Sequence, residues 1–346
     1  MRSIDILLLN AYDFGGIERA SSHLLSAFIK SGYNTRVISV RDKENRTSFD
    51  YEIPVLTMSG GDNDYVRIFN YVKNIPEDKI LISTYDRISI ILSFFLLLLN
   101  KKNILIVHQH ADYYAHSITV RTLRKLFYRR ANAVLALTKE DKNLYSRWHK
   151  NSIVVPNILS VEPVSSEAYV PLKGRNVDII AIGRLDPVKR YDHFLRLAER
   201  LRNEKLLNVA KVIGDGPLYG ELSKIDSNNV LCGRFDDVRS ILSDSKILVV
   251  TSLRESFSMV ILEALSQGCI VISYDCPTGP RELLKHGFSG FLVNSGNIDE
   301  LYLCTKTVLT NIDKYEDMSL NSIKTCDNYL DKVILRKWKE VICELS

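Results

Sequence analysis

The feature that most constrains this chain is a pattern that runs through once and then starts again. Short apolar runs rich in Ile, Val and Leu alternate with helical periodicities: Ile4 to Asn10, Thr35 to Val40, Ile53 to Thr57, Ile80 to Ser83, Asn103 to Val107, Ala133 to Leu137 and Ser152 to Val155. Alternation of this kind builds parallel α/β layers. From Pro156 to Asn176 three prolines and several serines interrupt it, and periodicity is lost. It resumes with Val177 to Ile182, followed by Asn208 to Ile213, Val230 to Cys232, Ile247 to Val250, Ile270 to Ser273 and Phe291 to Val293. A restart without a short repeat predicts two similar domains, 1–160 and 177–327, joined by a linker over 161–176, with a last helix over 328–346. The 346 residues are ample for two cores of about 150 residues each. Leu330, Val333, Ile334, Trp338, Val341, Ile342 and Leu345 share one face of that last helix, which must dock on something apolar, the first domain being the candidate.

Other features narrow the class. A net charge of +5 is too mild to argue for nucleic acid. The six cysteines all fall in the second half without Cys-x-x-Cys spacing, as reduced thiols of a cytoplasmic protein would. Asp5 interrupts the first apolar run, so we read a buried strand there and not a leader. Ile88 to Leu99 is well short of the roughly 20 residues that span a bilayer and reads as a buried helix.

The chemistry gathers where strands hand over to helices. Glu255-Ser-Phe-Ser-Met-Val-Ile-Leu-Glu263 leaves the strand ending at Val250 and enters a helix near Ser258 that Gln267-Gly268 closes. Unpaired N–H groups at such a start suit an anion, and a carboxylate on either side suits the hydroxyls beside it, as in a sugar nucleotide. Taken alone, the two glutamates are equally well surface charges. Gly183-Arg184-Leu-Asp-Pro-Val-Lys189 follows the first strand of the second domain, and its planar fork and point charge suit a diphosphate. A solvated cluster is the plain alternative. Gly214-Asp215-Gly216-Pro217 follows the next strand, and Gly15-Gly16-Ile17-Glu18 follows the first strand of the chain. No Gly-x-Gly-x-x-Gly fingerprint or Gly-x-x-x-x-Gly-Lys loop is present, which counts against a dinucleotide-dependent oxidoreductase.

Together these residues resemble the retaining glycosyltransferases of family 4, over nearly the whole chain. The resemblance implies the α/β GT-B architecture, two facing Rossmann-like domains with the C-terminal helix crossing back to the first. It implies transfer of a hexose from a nucleotide diphosphate, UDP being the expected base, to a hydroxyl of a lipid-linked oligosaccharide or surface polysaccharide, with retention. Arg184 and Lys189 would hold the diphosphate, Gly16, beside Gly15, would touch it from the other domain, and Gly214 and Asp215 would line the donor site. Glu263 would take the ribose, Glu255 the donor sugar, and the amides from Phe257 through Ser258 and Met259 to Val260 sugar and phosphate. His110, with His108 as competitor, resembles the family's histidine near the transferred sugar. Metal and cofactor are expected to be absent, since two side-chain cations already neutralise the diphosphate. Two departures stand out: Ser258 replaces a usual Gly and Thr251 a usual Pro. A catalytically silent nucleotide-sugar-binding subunit and a nucleotide-sugar epimerase are the alternatives on the same scaffold.

From Lys101 to Arg130 there are seven basic residues against one acidic, Asp112. Arg121, Arg124, Lys125 and Arg129 form one arc of a helix with Val120, Leu123, Leu126 and Phe127 opposite. The arc is either a solvated face or a surface for a lipid-linked acceptor and anionic headgroups, which would place the protein peripherally on the cytoplasmic side of a membrane.

Overall fold

A computed structural model describes residues 3–13, 15–42, 51–235 and 237–346. The chain divides into two compact units, 1–158 with 329–346, and 159–328. The stretch 161–176 runs within the second unit.

In the first unit the strands are β1 (Ile4–Leu8), β2 (Thr35–Ser39), β3 (Val55–Thr57), β4 (Ile80–Ser83), β5 (Ile104–Gln109), β6 (Ala133–Ala136) and β7 (Ser152–Val154). Between them lie α1 (Gly16–Lys30), α2 (Asp64–Asn74), α3 (Asp86–Leu98), α4 (Ile118–Phe127) and α5 (Lys139–Ser146). All seven strands pair in parallel, in the order β3-β2-β1-β4-β5-β6-β7. Such a sheet is buried on both faces, which is why its strands read as continuous apolar runs. The chain winds outward through β2 and β3, then returns to place β4 on the far side of β1. Ligands of open α/β sheets bind outside the strand carboxyl ends at such a reversal.

The second unit repeats the plan with β8 (Val177–Ile182), β9 (Ala210–Ile213), β10 (Ser245–Val250), β11 (Ile270–Asp275) and β12 (Phe291–Asn294), ordered β12-β11-β10-β8-β9 and all parallel. Its helices are α6 (Tyr191–Asn203), α7 (Tyr219–Ile225), α8 (Val238–Ser243), α9 (Met259–Ser266), α10 (Pro280–Leu283), α11 (Ile298–Thr310) and α12 (Glu316–Thr325). Here the order reverses between β8 and β10. Val230 to Cys232 is not a strand and makes a single bridge, Leu231 to Val212. The carboxylate of Asp226 takes the N–H groups of Val230 and Leu231 at 2.9 and 2.8 Å, so the donors that a longer ladder would need are spent in a local turn.

The last helix, α13 (Asp331–Leu345), belongs to the first unit. Ile334, Trp338, Val341 and Ile342 join a core with Leu24, Phe28 and Ile106, and the Trp338 and Phe28 rings meet edge to face at 5.4 Å. The apolar stripe of this helix thus completes the first core. The helix α3 is less buried than its composition suggests: Ile88, Leu92 and Leu96 enter the core, while Phe94, Leu97 and Leu98 are exposed. Among the described residues no helix is long and apolar enough to cross a membrane.

Candidate functional site

The second unit brings Lys189 and Glu255 together. Lys189 follows β8 and Glu255 follows β10, the neighbouring strands at which the order reverses, and Lys189 Nζ lies 2.7 Å from Glu255 Oε1. Both are largely buried, with side chains 25% and 8% exposed, so the pair is a shielded contact and not a surface ion pair. Three hydroxyls hold it. Ser252 Oγ donates to the same Glu255 oxygen at 2.7 Å, Thr251 Oγ1 donates to the Lys189 carbonyl at 2.7 Å, and Thr278 Oγ1 donates to the Glu255 carbonyl. The loop from Tyr274 to Glu282 is therefore packed onto the Glu255 turn. The unusual Thr251 has its own use, since a proline could not tie β10 to the Lys189 turn in this way.

Beside the pair, α9 begins at Ser258 with φ +69°, without a side-chain cap and with no acidic residue in its first turn. A helix start of this kind carries unneutralised N–H groups and the positive end of the helix dipole. The left-handed backbone at Ser258 explains why glycine is the usual residue there. The Ser258 Oγ is buried with no hydrogen-bond partner. Phe257 is a core residue by its side chain, and Met259 and Val260 are partly covered. Glu263 is buried on the same helix, and Ser160 Oγ donates to its Oε1.

Arg184 is the outlying member. Its side chain is 70% exposed, with Nε 3.2 Å from Asp186. The Gly214 loop braces this turn from below: a Cβ on Gly214 would lie 1.9 Å from the Gly183 carbonyl oxygen, and Leu185 N–H donates to the Asp215 carbonyl at 2.9 Å. Gly214 is required for backbone to meet backbone. The exposed Asp215 carboxylate accepts from Gly216 N–H at 2.7 Å.

In the first unit the turn after β1 has a different occupant. Glu18 is 2% exposed, and its carboxylate folds back over its own helix start, where a Cβ on Gly15 would meet Glu18 Oε2. Burial pushes this carboxyl up to about 7, against the N–H groups of Glu18 and Gly15, with the Asp13 charge adding to the rise. Tyr85, after β4, donates to Glu18 Oε1 at 3.4 Å. Gly16 remains open, with nothing within 4 Å of a Cβ built on it. His108 and His110 sit at the carboxyl end of β5, both buried, with His110 Nε2 3.2 Å from His108 Nδ1.

The basic arc is corrected. Arg124 is fully buried, donating to Tyr145 Oη at 2.7 Å and to the Tyr113 carbonyl at 2.6 Å, and lying 3.6 Å from Asp86. It belongs to an interior network and not to a surface. Burial of a guanidinium is tolerable only with such partners, and they come from α3, α5 and the segment before α4. Lys125 and Arg129 stay outside, beside exposed Ile118, Leu123 and Leu126, while Arg121 is half-buried with its guanidinium over the Tyr114 ring at 5.4 Å. The single Asp-x-Asp triplet, Asp62-Asn63-Asp64, opens α2, with Asp64 committed to Arg41 and Arg87.

Ser252, Thr278 and Ser160 were missed by motif reading. Ser252 carries a signal, the Ser-x-x-Glu spacing, whereas Thr278 and Ser160 reach their glutamates from 23 and 103 residues away.

Residues 176–311 match the profile of the family described as Glycosyl transferases group 1. Over 99% of its length the chain is 26% identical to the whole of an uncharacterized glycosyltransferase of Haemophilus influenzae. It is also 26% identical, over 96% of each chain, to a Campylobacter jejuni α-1,4-N-acetyl-D-galactosaminyltransferase named for an undecaprenol-diphosphate-linked acceptor. The crystal structure of Anabaena HepE with UDP-glucose superposes with a TM-score of 0.82 at 18% identity, covering 99% of both chains.

Proposed function

We propose that this chain, a group 1 glycosyltransferase of GT-B fold, moves a hexose from a UDP-linked donor to a hydroxyl of a lipid-linked oligosaccharide or surface polysaccharide precursor, with retention at the anomeric carbon. The observation that carries the reading is the Lys189–Glu255 contact at the strand reversal, beside an uncapped helix start. A diphosphate reaching this point meets Lys189, Arg184 and the first amides of α9, all positive. Glu255, relieved of Lys189, becomes an acceptor for sugar hydroxyls, and Glu263 is the acceptor for the ribose. As the bond to the anomeric carbon breaks, negative charge grows on the leaving diphosphate, and cations placed there lower the barrier. The leaving group then assists removal of the acceptor proton on the same face, which gives retention without a covalent enzyme intermediate. The donor held by HepE and the acceptor named for the Campylobacter enzyme support the two substrate classes.

The test is a panel of UDP-, GDP- and ADP-sugars incubated without acceptor, with released nucleotide measured. Release is expected from a UDP-sugar and should fall by about 10²-fold in Lys189→Ala and Glu255→Ala. Binding of no nucleotide sugar would turn the reading toward a silent scaffold. The proposal dispenses with a metal, and turnover should persist in excess chelator; complete loss restored by a divalent cation would refute that part.

The acceptor side is proposed to work at a membrane surface. Phe94, Leu97 and Leu98 on α3 and Ile118, Leu123 and Leu126 on α4 are exposed, and the rings of Phe94 and Phe127 meet at 5.8 Å, which sets the two ridges side by side. Lys125 on α4, Lys102 after α3 and Arg129 after α4 are exposed as well. Apolar side chains bordered by cations suit an anionic bilayer interface. In vesicle flotation the protein should bind anionic vesicles and lose binding with Leu97→Ser and Leu126→Ser together. Equal binding to neutral vesicles, or none to either, would remove this element.

A further inference from the structure

Arg190 is the step between the short turn Pro187–Lys189 and α6. Its backbone is left-handed, at φ +48°, a conformation that a non-glycine residue keeps only when its surroundings hold it. The side chain supplies the hold. Nε and Nη2 each donate to one oxygen of Asp192 at 2.9 Å, and Nη2 also donates to Nε2 of His193, three residues on and on the same side of the helix. His193 is buried, and its Nδ1 lies 2.7 Å from Tyr274 Oη, with the two rings at 90°. A guanidinium has donors and no acceptor, and a neutral imidazole has one N–H and one lone pair. Nε2 must therefore be bare toward Arg190, which puts the proton on Nδ1, donated to Tyr274 Oη. Asp192 stands 3.8 Å from Nε2, too far to claim a proton there. Burial and then the Arg190 charge lower the His193 pKa, with Arg196 adding and Asp192 opposing, so the ring stays neutral. Tyr274, fully buried on β11, leads into the loop behind Glu255. There Thr278 donates to the Glu255 carbonyl, and a Cβ on Gly279 would lie 2.9 Å from Glu255 Cβ. Arg190, His193 and Tyr274 thus join the turn that carries Lys189 to the loop that backs Glu255.

We propose that His193 is a positioning residue for Lys189: accepting from Arg190 and donating to Tyr274, it locks the left-handed step that sets the Lys189 ammonium against Glu255, where a diphosphate is received. The diphosphate rests on the proposed donor site; the proton on Nδ1 does not. His193 acts through Arg190, so its effect passes entirely through Lys189. The single lone pair at Nε2 is the working part, since it is what Arg190 needs in order to stay in place.

The test uses the full chain, with UDP as the probe. In protein labelled with 15N at histidine, long-range 1H–15N spectra at neutral pH should show His193 protonated on Nδ1 and bare on Nε2; a proton on Nε2 overturns the proposal. His193→Phe keeps a ring and removes the lone pair, and should weaken UDP binding between about two- and tenfold, the scale of one hydrogen bond. His193→Gln places an oxygen near the Nε2 position and should bind UDP within about twofold of wild type. A glutamine variant as weak as the phenylalanine one would show that the lone pair is not the working part, and the proposal fails. In a Lys189→Ala background His193→Phe should cost nothing more, which a merely structural role would not produce; a further loss there means that His193 acts by another route. Wild-type affinity in His193→Phe beside a weakened Lys189→Ala overturns the positioning role alone. Wild-type affinity in both overturns the donor-site reading and the positioning role with it.

Discussion

The two units of this chain carry the same local device, a buried parallel strand, a turn and a helix at the point where strand order reverses, and they fill it in opposite ways. In the first unit α1 starts over Glu18, its own carboxyl folded onto its own amides and touched by Tyr85 from the turn after β4. In the second unit α9 starts with no acidic residue in its first turn, and Glu255, three residues before Ser258, is bound to Lys189. One helix start is closed by its own carboxyl group; the other has none in its first turn. Backbone geometry alone makes the two helix starts alike; the side chains in and around the first turn make them differ, and the proposed donor site rests on that difference.

The largest effect should come from removing the cation. Lys189→Ala should lower donor turnover by 10²- to 10³-fold, the range for loss of one charge-stabilising group. Because Lys189 and Glu255 touch, the two substitutions should be strongly non-additive, and a double variant no worse than either single one would sharpen the account. Additive losses would mean that the two residues act separately.

Glu18→Gln tests the other side. A carboxyl raised from 4.5 to about 7 in the folded state keeps a proton that the unfolded chain releases. Its contribution is therefore fully present below about pH 4.5 and declines as pH rises through 7, by a total of about 3 kcal/mol. Urea unfolding at several pH values should show the wild type losing stability relative to Glu18→Gln between pH 5 and 7, with the difference constant above 8. Parallel curves would show that Glu18 does not hold the proton.

Smallest is Ser258→Gly. Relief of a left-handed backbone at a non-glycine residue should stabilise the chain by about 1 kcal/mol, read as a shift in the urea midpoint. Destabilisation would mean that the buried hydroxyl has a partner that outweighs the backbone cost.

The parallel sheets and the two-domain plan were legible because strands buried on both faces leave unbroken apolar runs. The pairing of Lys189 with Glu255 was half legible: each stood at the right kind of turn, but only the strand order β8 next to β10 makes those turns neighbours. Arg124 was misread for a related reason. A helical wheel sorts residues by what lies on one helix, and the groups that pull Arg124 inward, Asp86, Tyr113 and Tyr145, lie on other segments. The folding back of Glu18 was hidden as well, since Gly-Gly-x-Glu reads as an open turn until the side chain is seen to close it.

The most direct measurement is calorimetric titration of UDP into the wild type, Lys189→Ala and Glu18→Gln. Affinity should fall about 10- to 100-fold in Lys189→Ala, the loss of one charge-assisted contact, and stay within about twofold of wild type in Glu18→Gln. Wild-type affinity in Lys189→Ala, or a loss confined to Glu18→Gln, would contradict the assignment of the nucleotide to the second unit.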